Sequence, residues 1–380
     1  MTSAYVSAWP ELRLRDFWGD GDLKPRPYPL SVPNALYSYV ARSSIYHLTR
    51  ALVKRGDDVV LVPSYHHGNE VRAIRAAGAT LRFYPVGRDL TPDRSELERL
   101  ADGARVLFLI HYVGFPQDAE MWSRWCRERG IVLVEDCALA FLSRQGNRSL
   151  GTFGDYSIFC LYKSLPLPNG GVLAVNGRPL DGLRSVATRT CGTTSVAGRT
   201  AELLLESFRS RNPRLGATLA AAKRSVGWLM DTVRWRRVPV GDSGFDVART
   251  EIAMSEMCRR LLPRFDYEEI WRRRRANFEY LAQRLAGKAN ALRPRLEDGA
   301  CPLFFPILVR EKTRTARHLM ERGIGAVELW NEGDDACPPG RFPETDYLRR
   351  HVLELPLHQS VSRAQLDYMA DQVAALDVHL

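Results

Sequence analysis

The chain has 380 residues, 45% of them hydrophobic, with seven cysteines and a formal net charge of +10 at a pI near 9.4. That length leaves room for a large core and two structural domains. No apolar run reaches the roughly 18 residues of a membrane span, and the N-terminus MTSAYVSAWPELRLRDFWG lacks the basic-then-apolar pattern of a secretion signal.

The cysteines are scattered and odd in number, with no CxxC pair and no Cys/His ligand spacing. This favours free thiols in a reducing cytoplasm over disulfides or zinc. The positive charge comes without a nucleic-acid reader motif and suits attraction of anionic substrates, although most such charge is solvated surface.

Residues 1–33, rich in Pro, Trp and charge, read as an arm with little regular structure. Residues 34–55 read as a helix broken near Arg42, with Leu36, Tyr37, Val40, Ile45, Leu48, Thr49 and Leu52 at helical spacing. Ser43 and Ser44 open its second part. Hydroxyls beside free backbone amides at a helix N-terminus form a phosphate site, and Arg42 adds charge, although a plain Ser N-cap is the commoner use of such a pair. Residues 58–62 form a strand ended by Pro63. Tyr65, His66 and His67 follow in a loop leading to a helix over 70–77. A flat ring there can stack on a ligand or simply pack the loop. No acidic or cysteine partner lies at ligand spacing from the two histidines, so no metal is expected.

A strand over 80–84 leads to a helix capped at Pro92-Asp93, then a strand over 105–111 and a helix over 117–129. The apolar run 131–134 ends at Glu135-Asp136. Strand and helix alternate as in βαβ units with a mostly parallel sheet. No GxGxxG follows a strand, which argues against a dinucleotide-binding domain.

Two further short apolar runs, 156–161 and 171–175, read as buried strands, and Lys163 lies between them ahead of Ser-Leu-Pro-Leu-Pro-Asn-Gly-Gly. A lysine at a strand end is usually solvated charge, but one pinned between core strands is partly desolvated, which yields the free amine that Schiff-base chemistry needs. Asp136 alters the balance. An acid at the carboxyl end of a buried strand sits where ligands bind in α/β sheets. An Asp that protonates a ring nitrogen and a Lys that holds an aldehyde are the protein's contribution to a pyridoxal phosphate (PLP) site.

Residues 178–250 are the least informative. The stretch 184–195 suits a reach across a dimer interface, and 214–237 reads as a basic amphipathic helix covering the core or a subunit contact, with a membrane surface as the other use of such a face. Helices follow over 250–264 and 267–286, with Arg272 to Arg275 as a solvated face. Short strands and helices over 303–309, 313–322, 327–329 and 363–376 make a small α+β domain.

Four segments resemble the DegT/DnrJ/StrS group of PLP-dependent enzymes, in its order and with similar separations. They are ValGluAspCysAlaLeuAla (134–140), GlyThrPheGlyAspTyrSer (151–157), the run from Lys163 to Gly171, and LeuGluLeuProLeuHisGlnSerValSer (353–362). The resemblance implies a fold-type I α/β transferase: an arm (1–33), a large PLP-binding domain with a mostly parallel central sheet (34–250), and a smaller α+β C-terminal domain with linking helices (251–380).

It also implies a homodimeric aminotransferase that moves an amino group from an amino acid such as glutamate to a keto group, most often on a nucleotide-activated sugar. By the same resemblance Lys163 is catalytic and holds the cofactor's aldehyde. Asp136 faces the ring nitrogen, His67 stacks on the ring with Tyr65 as fallback, and Ser43, Ser44 and Ser157 contact the cofactor. His111, Tyr112 and Trp330 face the substrate. Two departures are visible. Leu139 stands where the group has Gln or His, and the segment before Lys163 is two residues shorter, which brings Cys160 near the position of a phosphate-binding serine. These motivate two alternatives, dehydration or amination of a non-sugar ketone; the basic 214–237 helix motivates a third, a non-catalytic regulator.

Overall fold

A computed structural model describes residues 4–18, 25–54, 56–183, 186, 189–213, 215 and 244–376. Its main sheet has seven strands in the order β1-β9-β8-β5-β4-β2-β3. In chain order the first elements are β1 (Leu36–Ser38), α1 (Ala41–Leu52), β2 (Val59–Pro63), α2 (Asn69–Ala76), β3 (Thr80–Tyr84), α3 (Arg94–Leu100), β4 (Ala104–Ile110), α4 (Ala119–Arg129) and β5 (Val132–Asp136). A two-stranded hairpin, β6 (Arg144–Gln145) and β7 (Arg148–Ser149), precedes β8 (Tyr156–Cys160), the single-turn helix α5 (Leu161–Ser164) and β9 (Gly171–Val175).

Strands β3, β2, β4, β5 and β8 run parallel, while β9 and β1 close one edge antiparallel. The parallel strands read as near-continuous apolar runs because both of their faces are covered; all five residues of β2 are buried.

Beyond the sheet come α6 (Thr193–Arg211), α7 (Glu256–Leu261) and α8 (Tyr267–Arg284), the last spanning most of the predicted 267–286 helix. A second sheet, in the order β10-β11-β13-β12, is antiparallel and built from β10 (Asn290–Ala291), β11 (Phe304–Leu308), β12 (Val327–Glu328) and β13 (Val352–Pro356). Helices α9 (Lys312–Glu321), α10 (Pro343–His351) and α11 (Arg363–Ala374) accompany it. The N-terminal arm is tied to this part of the chain: Val6 is fully buried and bridges Ile324.

Two expectations are corrected, and one helix is new. The helix predicted over 34–55 divides. Leu36–Ser38 pairs with Leu173–Gly171 of β9, and Val40 stays extended (φ −140°, ψ 150°), so the helix begins at Ala41. A three-residue strand is too short to show a period of two, and its apolar residues fit helical spacing by chance. The helix predicted over 250–264 begins only at Glu256, because Ser255 caps it by accepting from the Cys258 amide, while Ala253 bridges Ser38. Helix α6 was not expected; among its buried residues are Ser195, Leu203 and Ser207. Apart from Leu215, the predicted 214–237 helix lies outside the described residues.

Candidate active site

The carboxyl ends of β4, β5 and β8, the start of α1 and the loop before α2 line a cleft. Asp136, the last residue of β5, and Lys163, the third residue of α5, both line it. Helix α5 starts at the first residue after β8, so the lysine is delivered one turn beyond a strand that neighbours β5 in the sheet.

Asp136 is buried. Desolvation, reinforced by the nearby Glu70 carboxylate, pushes its carboxyl up to about 7, against the pull of the Ala138 amide and the Lys163 charge. The Ala138 amide donates to Asp136 Oδ1 at 2.8 Å. An acid raised this far gains strongly from a cation placed beside it.

The start of α1 supplies Val40, Ala41 and Arg42 to the cleft wall. Gly171 makes this approach possible, since a Cβ there would lie 2.5 Å from Ala41 N and 2.6 Å from the Val40 carbonyl carbon. Helix-terminal amides with an arginine beside them suit an anionic group. Ser43 and Ser44 lie within the first turn rather than ahead of it and do not line the cleft; both are buried, and Ser44 Oγ is 2.8 Å from Ser38 Oγ.

His67 lines the cleft, with its amide donating to Glu70 Oε1 at 2.7 Å and its ring edge-on to Trp330 at 6.3 Å. Trp330 also lines the cleft. Tyr65 does not: it is fully buried behind Trp330, its hydroxyl donating to the Leu329 carbonyl. Tyr112, expected at the substrate rim, is buried and donates its hydroxyl to the Tyr65 carbonyl at 2.7 Å.

His111 is likewise absent from the cleft wall. Its Nδ1 accepts the Gln117 amide, so Nε2 carries the proton and donates to Glu135 Oε2 at 3.0 Å. Glu135 also accepts from the amides of Gly151, Phe153 and Gly154, which fixes the turn before β8. His111, Glu135 and Cys137 bring possible metal ligands within 4.8 Å of one another, but these hydrogen bonds already occupy the histidine and the carboxylate. Ser157 points to the opposite face of β8 from Cys160, which lines the cleft. Residues 157 and 160 differ by an odd step, and strand side chains alternate. The Ser157 hydroxyl lies 2.7 Å from that of Tyr28.

Sequence reasoning passed over Glu70, which lines the cleft close enough to raise Asp136; the one available signal was an acid in the first turn of α2, three residues after His67. It also passed over Glu354, buried in the middle of β13. Burial pushes this carboxyl up to about 8, against the charges of Lys163 and Lys312, and its Oε1 has no hydrogen-bond partner among the described residues.

The raised value carries a sign. The folded chain keeps a proton that the unfolded chain releases near 4.5, so stability falls as pH rises from about 4.5 through about 8. Glu354→Gln should therefore leave the melting temperature at pH 5 nearly unchanged and raise it by several degrees at pH 8.5. Equal shifts at both pH values would show that this carboxyl is not titrating across the window.

The donor set fits PLP: an acid for a ring nitrogen, an amine for an aldehyde, flat side chains, and a helix start with an arginine for a phosphate. Comparisons with known proteins point the same way. The chain is 27% identical over 340 residues to dTDP-4-dehydro-2,3,6-trideoxy-D-glucose 4-aminotransferase of Saccharopolyspora spinosa, covering 83% of this chain and 77% of that one. It is 24% identical over 334 residues to dTDP-3-amino-3,4,6-trideoxy-alpha-D-glucose transaminase of Streptomyces venezuelae, covering 83% and 76%.

Solved structures share the fold. A DegT DnrJ EryC1 StrS aminotransferase from Brucella abortus superposes with a TM-score of 0.63 at 18% identity, over 90% of this chain and 86% of that one. The E coli GDP-4-keto-6-deoxy-D-mannose-3-dehydratase with bound hydrated PLP gives 0.61 at 14% identity, over 89% and 87%. The expected α/β architecture with a mostly parallel central sheet is thus the fold of these solved structures. Residues 44–225 match the DegT/DnrJ/EryC1/StrS aminotransferase family, and the chain carries a domain of that family.

Proposed function

We propose that this chain is a PLP-dependent aminotransferase that transfers an amino group from an amino acid such as glutamate to a keto group on a nucleotide-linked sugar. The observation that carries the reading is the meeting of Lys163 and Asp136 in one cleft beside the start of α1. When bound, PLP supplies an electron sink for the carbanion formed at the amino acid's α-carbon. The side chains do the rest. Asp136, as carboxylate, holds a proton on the ring nitrogen. Arg42 and the first amides of α1 would hold the phosphate, and His67 would supply a flat side chain for the ring. Lys163 would present its amine to the aldehyde and then move a proton as general base and acid.

The acceptor class is supported by the names of the relatives, which are enzymes of dTDP-linked sugars. The net charge of +10 suits such phosphate-bearing substrates. A homodimer follows from the family resemblance. A reducing cytoplasm is consistent with seven cysteines that form no disulfide. No helix among the described residues is long and apolar enough to cross a membrane. The division into an arm, a large domain to residue 250 and a small domain beyond it belongs to the same proposal.

Leu139 favours a second reading, dehydration or amination of a different ketone. It lines the cleft with an apolar side chain where the family has Gln or His, removing one polar group from the reaction space. The decisive experiment is to load the purified protein with PLP, add glutamate, and follow the change in near-visible absorbance. A 4-keto nucleotide sugar is then added and the product weighed by mass spectrometry. A mass gain matching C=O to CH–NH₂ supports transamination. Loss of water from the sugar without nitrogen uptake supports the second reading. No spectral change with any amino donor overturns the first.

A further inference from the structure

The bulkiest fully buried side chain among the described residues is a cation, Arg274 on α8, only 1% exposed. No carboxylate pairs with it there. Its Nε donates to Gln359 Oε1 at 3.0 Å, Nη1 to the carbonyls of Pro302 and Leu303 at 3.2 and 3.0 Å, and Nη2 to the Ser164 carbonyl at 3.1 Å. A guanidinium taken out of water without a counter-charge is costly, and desolvation lowers its pKa to about 10. Something other than bulk stability accounts for its position.

The Ser164 carbonyl is the clue. Ser164 ends α5, the single turn that bears Lys163, and the last carbonyls of a helix lack partners within it. This carbonyl takes a second donor, Gln359 Nε2, at 3.0 Å. The Gln359 amide is oriented by both contacts, its oxygen toward the guanidinium and its nitrogen toward Ser164. Gln359 directly follows the Leu-Pro-Leu-His segment, and that segment is itself strapped to α8: Asn277 Nδ2 donates to the carbonyls of Leu357 at 2.9 Å and His358 at 3.3 Å. His358 has no chemistry to offer. It is buried, desolvation drives its pKa down to about 3, and its ring nitrogens are taken by the Ser7 carbonyl and the Ser360 amide.

We propose that Arg274 and Gln359 are positioning residues for Lys163: by closing both acceptor sites of the Ser164 carbonyl they lock the turn that aims the amine into the cleft. The assignment rests on reading Lys163 as the amine that captures PLP. It gives the C-terminal Leu-Pro-Leu-His-Gln segment a task, to carry the second half of this lock from the small sheet to the catalytic turn.

The test uses the full chain stripped of cofactor and two probes. PLP requires a correctly aimed lysine for covalent capture; pyridoxamine phosphate fills the same cleft without that bond. Gln359→Glu keeps an acceptor for Arg274 Nε but places an oxygen against the Ser164 carbonyl, so the Gln359 half of the lock to α5 opens while Arg274 Nη2 keeps its own bond. Arg274→Lys retains the charge with fewer donors, and Arg274→Met removes both.

For Gln359→Glu, capture should slow by about 10- to 100-fold, the range expected when a reacting group is misplaced by about an ångström. Capture is measured by the rise of near-visible absorbance and by borohydride trapping mapped to Lys163. Pyridoxamine phosphate affinity should stay within about twofold of wild type. Arg274→Lys should fall between wild type and Arg274→Met; if the methionine variant does not fold, Gln359→Glu and Arg274→Lys decide.

Wild-type capture rates in Gln359→Glu and Arg274→Lys would overturn the proposal. So would equal loss of both probes together with a lowered melting temperature, which would mark these residues as scaffold alone. Failure of wild-type protein to capture PLP at all is a different result and removes the cofactor reading itself.

Discussion

Lys163→Ala should abolish the near-visible absorbance of the PLP-loaded protein and lower the transamination rate by about 10⁴-fold, the upper range for loss of one general acid–base group. The expectation follows from position. Lys163 is delivered to the cleft by a one-turn helix attached directly to β8, and among the described residues no other lysine lines that cleft. Lys312, whose pKa burial lowers to about 8, is committed elsewhere, donating to the carbonyls of Leu329 and Arg349.

Lys163→Arg should be as inactive as Lys163→Ala, because a guanidinium keeps the charge but does not become a free amine at working pH. Both variants should still bind pyridoxamine phosphate, since Asp136, Arg42 and His67 remain. Residual absorbance and turnover within tenfold of wild type in Lys163→Ala would assign the amine to another residue and undo the proposed roles together.

What was legible in the chain followed from how its elements are covered. Parallel strands buried on both faces write themselves as apolar runs, so the runs ending at Asp136 and beginning at Tyr156 could be placed from sequence, and the residues at their ends meet in one cleft. Side chains whose surroundings come from distant segments could not be placed. Arg274 sits in a run of four arginines and reads as solvated, yet it alone of the four is buried, its donors turned to carbonyls far along the chain. Glu354 is an acid within an apolar strand, and its meaning depends on two lysines from other elements. Ser43, Ser44 and Ser157 were placed by motif, but strand alternation and an earlier helix start turn them away from the cleft. The alternation at Ser157 was available from the sequence; the helix start depended on the pairing of β1 with β9.

The second large effect concerns Asp136, and it should separate loading from folding. Asp136→Asn preserves shape and the hydrogen bond from the Ala138 amide, but an amide cannot stabilise a protonated ring nitrogen by charge. Removing one partner of a buried pair costs about 3–5 kcal/mol, so cofactor affinity should fall by roughly 10²- to 10⁴-fold, with a comparable loss in rate.

The stability of the empty protein should move the other way. Its Asp136 carboxyl is raised from 3.8 to about 7, so the folded empty chain holds a proton that the unfolded chain gives up, and stability declines as pH rises across that window. The asparagine variant has no such proton. Its empty form should match wild type near pH 4 and melt higher than wild type at pH 8, while its loaded form melts lower. Calorimetry with and without PLP at the two pH values reads all four quantities. If the empty variant is instead less stable at pH 8, Asp136 is already satisfied without a cationic ring, and the acid at the end of β5 serves the fold rather than the cofactor.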